Sequence, residues 1–295
     1  MWHLIHPPMV NPRAMPFKLN FSPAKAFRLP GHALIHVRGQ DACAFLQAQC
    51  MNDVNALKDG EWHYNGWLTP QGRVFALFYV IRVEIGHFLL ILPALEPQAL
   101  IDGLKRFVLR SKVSFEIESS GHLSASIGKP IAAEDGIDYD LAGQVLLQIG
   151  HGEKSRTLFL GSQIGMANPD AAQRWHEMDM AAGWVWINEG LQDLWTPHML
   201  SLQQLKAFSL SKGCYPGQEI VARTHYLGKS KRALFLIHGP HLQPGRVLES
   251  DGRDIGRIVN ASAGGILGAA VLPADIAPGT CLDGDICVAA PVSGL

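Results

Sequence analysis

Charge is thin in this chain, and neither sign prevails. Lys and Arg number 25 and Asp and Glu 26, for a formal net charge of −1, and charged residues are 17% of the total. No global basic field exists to recruit nucleic acid, so any such contact needs a local patch. The five cysteines, Cys43, Cys50, Cys214, Cys281 and Cys287, form no C-x-x-C and have no zinc-finger spacing to histidine. An odd, dispersed set fits a reducing compartment, so a cytoplasmic location is expected. No apolar run reaches the length of a membrane helix, and no membrane partner is expected. Also missing are G-x-G-x-x-G, the P-loop, G-x-S-x-G and H-E-x-x-H, together with any internal repeat or low-complexity segment. None of the thirteen histidines has ligand spacing to a second ligand, so no metal site is expected.

What is present concentrates in one stretch, Lys212-Gly213-Cys214-Tyr215-Pro216-Gly217-Gln218-Glu219, running into Ile220-Val221-Ala222-Arg223. Two glycines and a proline within five residues turn the backbone and let other groups approach it. Pro216-Gly217 suits the centre of a type II turn, expected here between a helix and a strand. Cys214 has Lys212, Glu219, Arg223 and His225 near it in sequence. A thiol among cations can be stabilised as a thiolate. A packed, inert thiol in a tight turn is the other reading.

At 295 residues and 47% apolar, the chain has room for two or three domains with real cores. Met1 to Pro16 reads as a loose tail, with Met15 a possible alternative start. A strand over 33–37 leads to a helix capped by Asp41, with Ala42, Phe45 and Leu46 on its apolar face, ending near Val54. A strand over 61–68, a turn at Thr69-Pro70-Gln71-Gly72 and a strand over 74–83 buried on both faces follow. Ile85-Gly86 turns the chain into a hairpin with 87–92. Leu100, Leu104, Phe107 and Val108 then mark a helix at i, i+4, i+7 and i+8, and 113–117 returns as a strand. That order predicts a ferredoxin-like α+β unit. Lys105, Arg106, Arg110 and Lys112 form a basic stretch that either meets an anionic partner or is simply solvated.

Strands are expected over 123–127, 145–149 and 157–160, between loops that hold the pairs Glu134-Asp135 and Asp138/Asp140. A helix over 171–183 ends at its glycine. Four of the seven tryptophans, Trp175, Trp184, Trp186 and Trp195, lie within about twenty residues, as core or as a platform for a flat heterocycle. A short helix over 201–207 points Leu202 and Leu205 inward. After a boundary near Gly228 come short strands with Asp251-Gly252 and Asp283-Gly284 turn signals, the pattern of a small β-barrel or sandwich. The expected division is 1–16 tail, 17–227 and 228–295.

The stretch at Cys214, with Lys231-Arg232-Ala233-Leu234 after it, resembles the signature of the YgfZ family, folate-binding proteins of the glycine-cleavage aminomethyltransferase superfamily. The pattern K-G-C-Y-x-G-Q-E is highly specific. Val37-Arg38-Gly39-Gln40-Asp41, Phe45-Leu46-Gln47, Asn52-Asp53-Val54, Gln71-Gly72-Arg73 and Arg110-Ser111-Lys112-Val113 agree with it, so the resemblance covers roughly 30–275. It implies an α+β, three-domain ring with a discontinuous first domain, a ferredoxin-like second and a C-terminal β-barrel. It also implies tetrahydrofolate or a derivative as cofactor, iron–sulfur client or assembly proteins as partners, a monomer, and no stable nucleic-acid binding. Some members are described as tRNA-modifying.

The same resemblance places Trp175, His32, Tyr215 and Gln218 at the folate. It makes Cys214 the reactive thiol, attended by Lys212, Glu219 and Arg223, with Gly213, Pro216 and Gly217 shaping the turn. Two departures stand out. The acidic residue that relatives carry before Ala182-Gly183 is Ala181 here. The Asp pair of the aminomethyltransferases falls on Phe75-Ala76-Leu77, where nothing titrates, so glycine cleavage is not expected. An accessory role in iron–sulfur cluster assembly or repair follows, with Cys214 at most a transient iron ligand. A folate-dependent one-carbon transferase acting on a small amine or tRNA is the alternative, with Glu219 as an unorthodox acid or base.

Overall fold

The structure is a computed structural model, described here for residues 26–118, 123–128, 137–139, 145–150, 154–160 and 165–292. The N-terminal tail and the acidic pair Glu134-Asp135 lie outside the described residues, as do Asp140 and the side chain of Asp138. The first sheet joins β2 (His32–Arg38), β3 (Trp62–Leu68), β4 (Val74–Glu84), β5 (His87–Pro93) and β6 (Ser114–Ile117) in the order β3-β4-β5-β2-β6, all antiparallel. Helices α1 (Ala42–Gln49) and α2 (Pro97–Lys105) bury Phe45, Leu46, Leu100 and Leu104 against one of its faces. That is the ferredoxin-like α+β unit. Central strand β4 is apolar on both sides because both are covered: Ala76, Phe78 and Val80 face the helices, while Leu77, Tyr79 and Ile81 face the middle of the molecule.

Three expectations for this unit are corrected. Asp41 precedes α1 but makes no side-chain cap; its carboxylate accepts the backbone N–H of Lys112 at 2.7 Å instead. Gly39 lies against that same segment, where a Cβ would meet the Lys112 carbonyl. α1 ends at Gln49, and Val54–Ala56 is a separate 3-10 turn. α2 ends at Lys105, so Phe107 falls outside the helix and is 42% exposed.

A second antiparallel sheet runs β1-β7-β10-β9-β8, from β1 (Phe27–Arg28), β7 (Leu123–Ile127), β8 (Ile137–Tyr139), β9 (Val145–Ile149) and β10 (Arg156–Leu160). Helix α3 (Pro169–Ala182) follows, opened by Asn168, whose side chain accepts from Ala171 N–H, and closed by Gly183 at φ 84°.

Cys214 precedes α4 (Gln218–Leu227), so the signature turn leads into a helix and not a strand. The third sheet, β12-β13-β14-β11-β16-β15, comprises β11 (Arg232–His238), β12 (Val247–Ser250), β13 (Arg253–Ala261), β14 (Leu267–Pro273), β15 (Cys281–Leu282) and β16 (Ile286–Pro291). Its two edges approach through Asp283, which accepts from Glu249 N–H at 2.8 Å and pairs with Arg246 at 2.8 Å, nearly closing a barrel. Both residues of Asp251-Gly252 and of Asp283-Gly284 have positive φ, as their turn signals required.

The three sheets share one core. Leu123, Ala125 and Leu158 come to it from the second sheet, Leu234, Val259 and Val271 from the third, and Tyr64, Leu77 and Tyr79 from the first. Trp175, Trp184 and Trp195 fill it, so most of the tryptophan cluster is core.

Candidate functional site

The signature turn is built as its residue types demand. Gln218 N–H donates to the Tyr215 carbonyl at 3.2 Å and Gly217 has φ 76°, ψ 2°, which is a type II turn with Gly217 at its third position. Only glycine fits there on a second count: a Cβ on Gly217 would lie 2.5 Å from Gly72 Cα and 2.6 Å from the Thr69 carbonyl. The turn at Gln71-Gly72-Arg73 and the turn at Pro216-Gly217, 145 residues apart by numbering, therefore touch backbone to backbone.

Lys212 does not attend the thiol. Its ammonium donates to the carbonyls of Cys50 and of Asn52 (3.0 Å) and lies 5.0 Å from the Tyr215 ring centre. Burial lowers its pKa from the ordinary lysine value, partly offset by Cys50 and Asp53. The rest of the loop is tied to the same place. Gln47 donates to the Lys212 carbonyl at 3.1 Å and to Asp53, and accepts from Val54 and Asn55 N–H. Asn52 donates to the carbonyls of Tyr64 and Lys206. Tyr215 OH donates to the Ser209 carbonyl at 3.2 Å. Asn65 accepts from Asn52 and Gly66 N–H, and its amide meets His63 Nε2 at 3.2 Å. Burial first, then Lys212, pushes His63 down to about 4, so it is neutral near pH 7 and accepts that bond.

Cys214 itself is exposed, at the outer surface of this turn. Glu219 and Arg223 are exposed on α4, and Gln218 is half-buried. Cys214 shares the turn with Gly213, Tyr215, Pro216 and Gly217, while among the described residues neither Glu219 nor Arg223, both on α4, forms a hydrogen bond or ion pair with the thiol.

Trp175 and His32 belong to a different neighbourhood. Trp175 is fully buried, with the Arg156 guanidinium 4.6 Å from its ring centre and Phe27 at its edge. It has no open face, which agrees with the core reading of its type and means that stacking on a flat ring would need local opening. Arg156 pairs with Asp179 at 2.6 Å, and Asp179 accepts Trp186 Nε1–H at 3.0 Å. Trp186 stacks on His176 at 3.9 Å and receives His32 edge-on at 4.9 Å. Burial pushes His32 and His176 down to about 4, so neither is charged near neutral pH. Ala181 is exposed; the buried carboxylate of this helix is Asp179, two residues earlier and one turn from Trp175. Burial raises its pKa, against the pull of Arg156.

Sequence reasoning missed Arg156 and Asp179. A signal was present: Arg156 is the one charge on an otherwise apolar strand, Arg-Thr-Leu-Phe-Leu, and such a charge must be paired when buried. Several polar atoms around this core have no partner: Arg156 Nε and Nη2, Tyr79 OH, Trp62 Nε1, Trp175 Nε1, Trp184 Nε1, His32 Nε2 and His176 Nε2. Ala76 and Leu77, at the place of the expected Asp pair, are wholly buried in apolar surroundings. At the far end of α4 a separate cleft of about 280 Å³ is lined by His198, Thr224, His225, Lys229, Ser230 and Arg232.

Comparison with known proteins places this arrangement. Residues 31–128 match a family profile described as GCVT N-terminal domain. The chain is 30% identical over 232 residues to the tRNA-modifying protein YgfZ of Colwellia psychrerythraea, covering 71% of this chain and 70% of that one. The chain belongs to the YgfZ family. An uncharacterized Haemophilus influenzae protein is 29% identical over 244 residues, covering 79% and 82%. The YgfZ protein of Sodalis glossinidius is 24% identical over 253 residues, covering 79% and 77%. Among solved structures, aminomethyltransferase T of the Bartonella henselae glycine cleavage system superposes with a TM-score of 0.70 at 17% identity, covering 90% of this chain and 84% of that one. The YgfZ-type chain thus shares the aminomethyltransferase fold.

Proposed function

We propose that this protein binds tetrahydrofolate or a derivative and supports iron–sulfur cluster assembly or repair through the Cys214 thiol. It is not a glycine-cleavage aminomethyltransferase in this reading. The observation that carries the negative half is the pair Ala76 and Leu77: both are wholly buried and neither can hold a proton. With no acid or base there, Cys214 is the exposed nucleophile of the signature turn.

Folate is supported by the donors that lack acceptors. Arg156, Tyr79, Trp175 and Trp184 bring N–H and O–H groups without a partner to the central core, while His32 Nε2, unprotonated because Nδ1–H serves the Pro30 carbonyl, is an unpaired acceptor near Trp186. A buried donor without an acceptor costs about 1–3 kcal/mol. A pterin is flat, and its carbonyl oxygen and N1 can accept from such donors, so it fits aromatic surroundings of this kind. Arg156, Trp175, His32 and Trp186 would hold it, and Asp179 would keep Arg156 in place. Tyr215 shares the same apolar core, and Gln218 stands at the start of α4 beside it. Bound tetrahydrofolate would supply a carrier for a one-carbon unit. Binding needs local opening, since Trp175 has no exposed face.

An iron–sulfur cluster would be cargo and not a resident group. One thiol cannot hold a cluster, which takes about four protein ligands. Among the described residues no group of three His, Cys, Asp or Glu is placed to hold a metal. The remaining ligands would come from the client. The domain boundary in this reading lies near Gly228, which is extended between α4 and β11.

The test has two arms. Tetrahydrofolate titrated into the full chain should quench tryptophan fluorescence, and Trp186→Phe should weaken that response without unfolding. Cys214→Ala should fold normally yet fail to restore iron–sulfur enzyme activity in cells lacking the protein. Full restoration by that variant ends the thiol's role; an unchanged fluorescence signal ends the folate reading. Product formed from methylene-tetrahydrofolate and an amine or tRNA would favour the transferase instead.

A further inference from the structure

Cys281 and Cys287 stand directly opposite each other on β15 and β16, the last hairpin of the barrel, with their sulfurs 3.4 Å apart. Both are free thiols, Cys281 exposed and Cys287 half-buried. Directly opposed residues in an antiparallel pair have Cα atoms about 4.5 or 5.5 Å apart. A disulfide accepts roughly 4.4–6.8 Å. The sulfurs therefore need only side-chain rotation to bond, with no movement of the strands. Nothing in the proposed folate and Cys214 chemistry uses this pair.

We propose that Cys281 and Cys287 form a surface dithiol that exchanges reversibly with small disulfides. The Cys281 thiolate, the more exposed sulfur, attacks one sulfur of a low-molecular-weight disulfide such as oxidised glutathione. A mixed disulfide forms and one glutathione thiolate leaves. The Cys287 thiolate then attacks the Cys281 sulfur and expels the second glutathione. The protein loses two protons and two electrons, and the glutathione disulfide takes them up to become two thiols. Hydrogen bonding and charge from Cys281 raise the Cys287 pKa, as expected of two thiols sharing one proton donor site.

The position gives the exchange a consequence. The turn of this hairpin carries Asp283, whose carboxylate joins Arg246 and Glu249 N–H across the barrel seam. Bridging the two arms next to that turn fixes the hairpin that closes the seam. In a reducing cell such a bond is transient, which suits a sensor of the thiol pool.

The experiment equilibrates the full chain with graded ratios of reduced and oxidised glutathione, quenches with an alkylating reagent and maps thiols by mass spectrometry. The expected result is a species short of two hydrogens, with the link between Cys281 and Cys287, appearing over a defined ratio and reversed by excess reduced glutathione. Cys287→Ser should stop at one glutathione on Cys281, because the resolving thiol is gone. Cys214→Ser should leave the link intact. The proposal is overturned if both thiols stay alkylatable under fully oxidising ratios, if each carries its own glutathione in the unaltered chain, or if the link maps elsewhere.

Discussion

Gly72 and Gly217 pack against each other through bare backbone: a Cβ on Gly217 would sit 2.5 Å from Gly72 Cα, and one on Gly72 would sit 2.7 Å from Ile220 Cβ. Both have positive φ, 70° and 76°. Gly217→Ala thus adds conformational strain and overpacking at once, at a cost of about 2–4 kcal/mol. Gly213 offers the internal control. Its φ is 97° but nothing lies within 4 Å of its Cβ position, so Gly213→Ala carries strain alone, about 1–2 kcal/mol. Urea unfolding of the two variants measures the difference, and equal losses would mean that the close approach is not maintained in solution.

Lys212→Met keeps the aliphatic stem and removes the donor that serves the Cys50 and Asn52 carbonyls. Two acceptors lose a charged partner, so stability should fall by about 1–3 kcal/mol. The loss should be local: amide exchange should quicken over 206–215, the segment Lys212 and Asn52 tie down, and stay unchanged in the barrel.

Asp179→Ala leaves Arg156 as a buried cation without its counter-charge, and should cost about 3–5 kcal/mol. Replacing both partners, Arg156→Met with Asp179→Leu, should recover most of that, since a buried pair often gains little over an apolar substitute. If folate uses Arg156, the double variant should be stable and yet fail to bind it.

Acid should destabilise the fold over a defined window. His32, His63 and His176 have folded pKa values near 4 against 6.5 for the free side chain, in each case chiefly through burial. Between those values the unfolded chain binds more protons than the folded one, so stability rises with pH across the window. It is fully present above about 6.5 and lost as pH falls toward 4. Each histidine contributes a slope of at most about 1.4 kcal/mol per pH unit. His176→Asn should flatten the profile measured by urea midpoints between these pH values; a profile as steep as before would place His176 in water.

Much of the fold was legible because its signals are local. Strands β7, β9 and β10, the glycine that ends α3 and the two Asp-Gly turns of the barrel all depend on nearest neighbours in sequence, whereas β8 falls where Asp138 was expected in a loop. Misread positions were those decided by distant partners. Asp41 looks like a helix cap until Lys112 N–H takes its carboxylate. Lys212 looks like the partner of Cys214 until the carbonyls of Cys50 and Asn52 claim it. Of the site, the turn and its cysteine could be read from residue types. The Arg156–Asp179 pair could not, because no pattern in the chain says which buried charge meets which.

Ala76 and Leu77 make the loss of the aminomethyltransferase carboxylates hard to undo. A single change, Leu77→Asp, would set a carboxylate on the strand face that Tyr79 and Ile81 share, in an apolar core. An unpaired buried carboxylate stays neutral or unfolds its host, and the whole margin of a domain is only about 5–15 kcal/mol. On the reading proposed above, the two side chains that exclude glycine cleavage also pack the two faces of the central strand, so reaction and fold could not be altered independently.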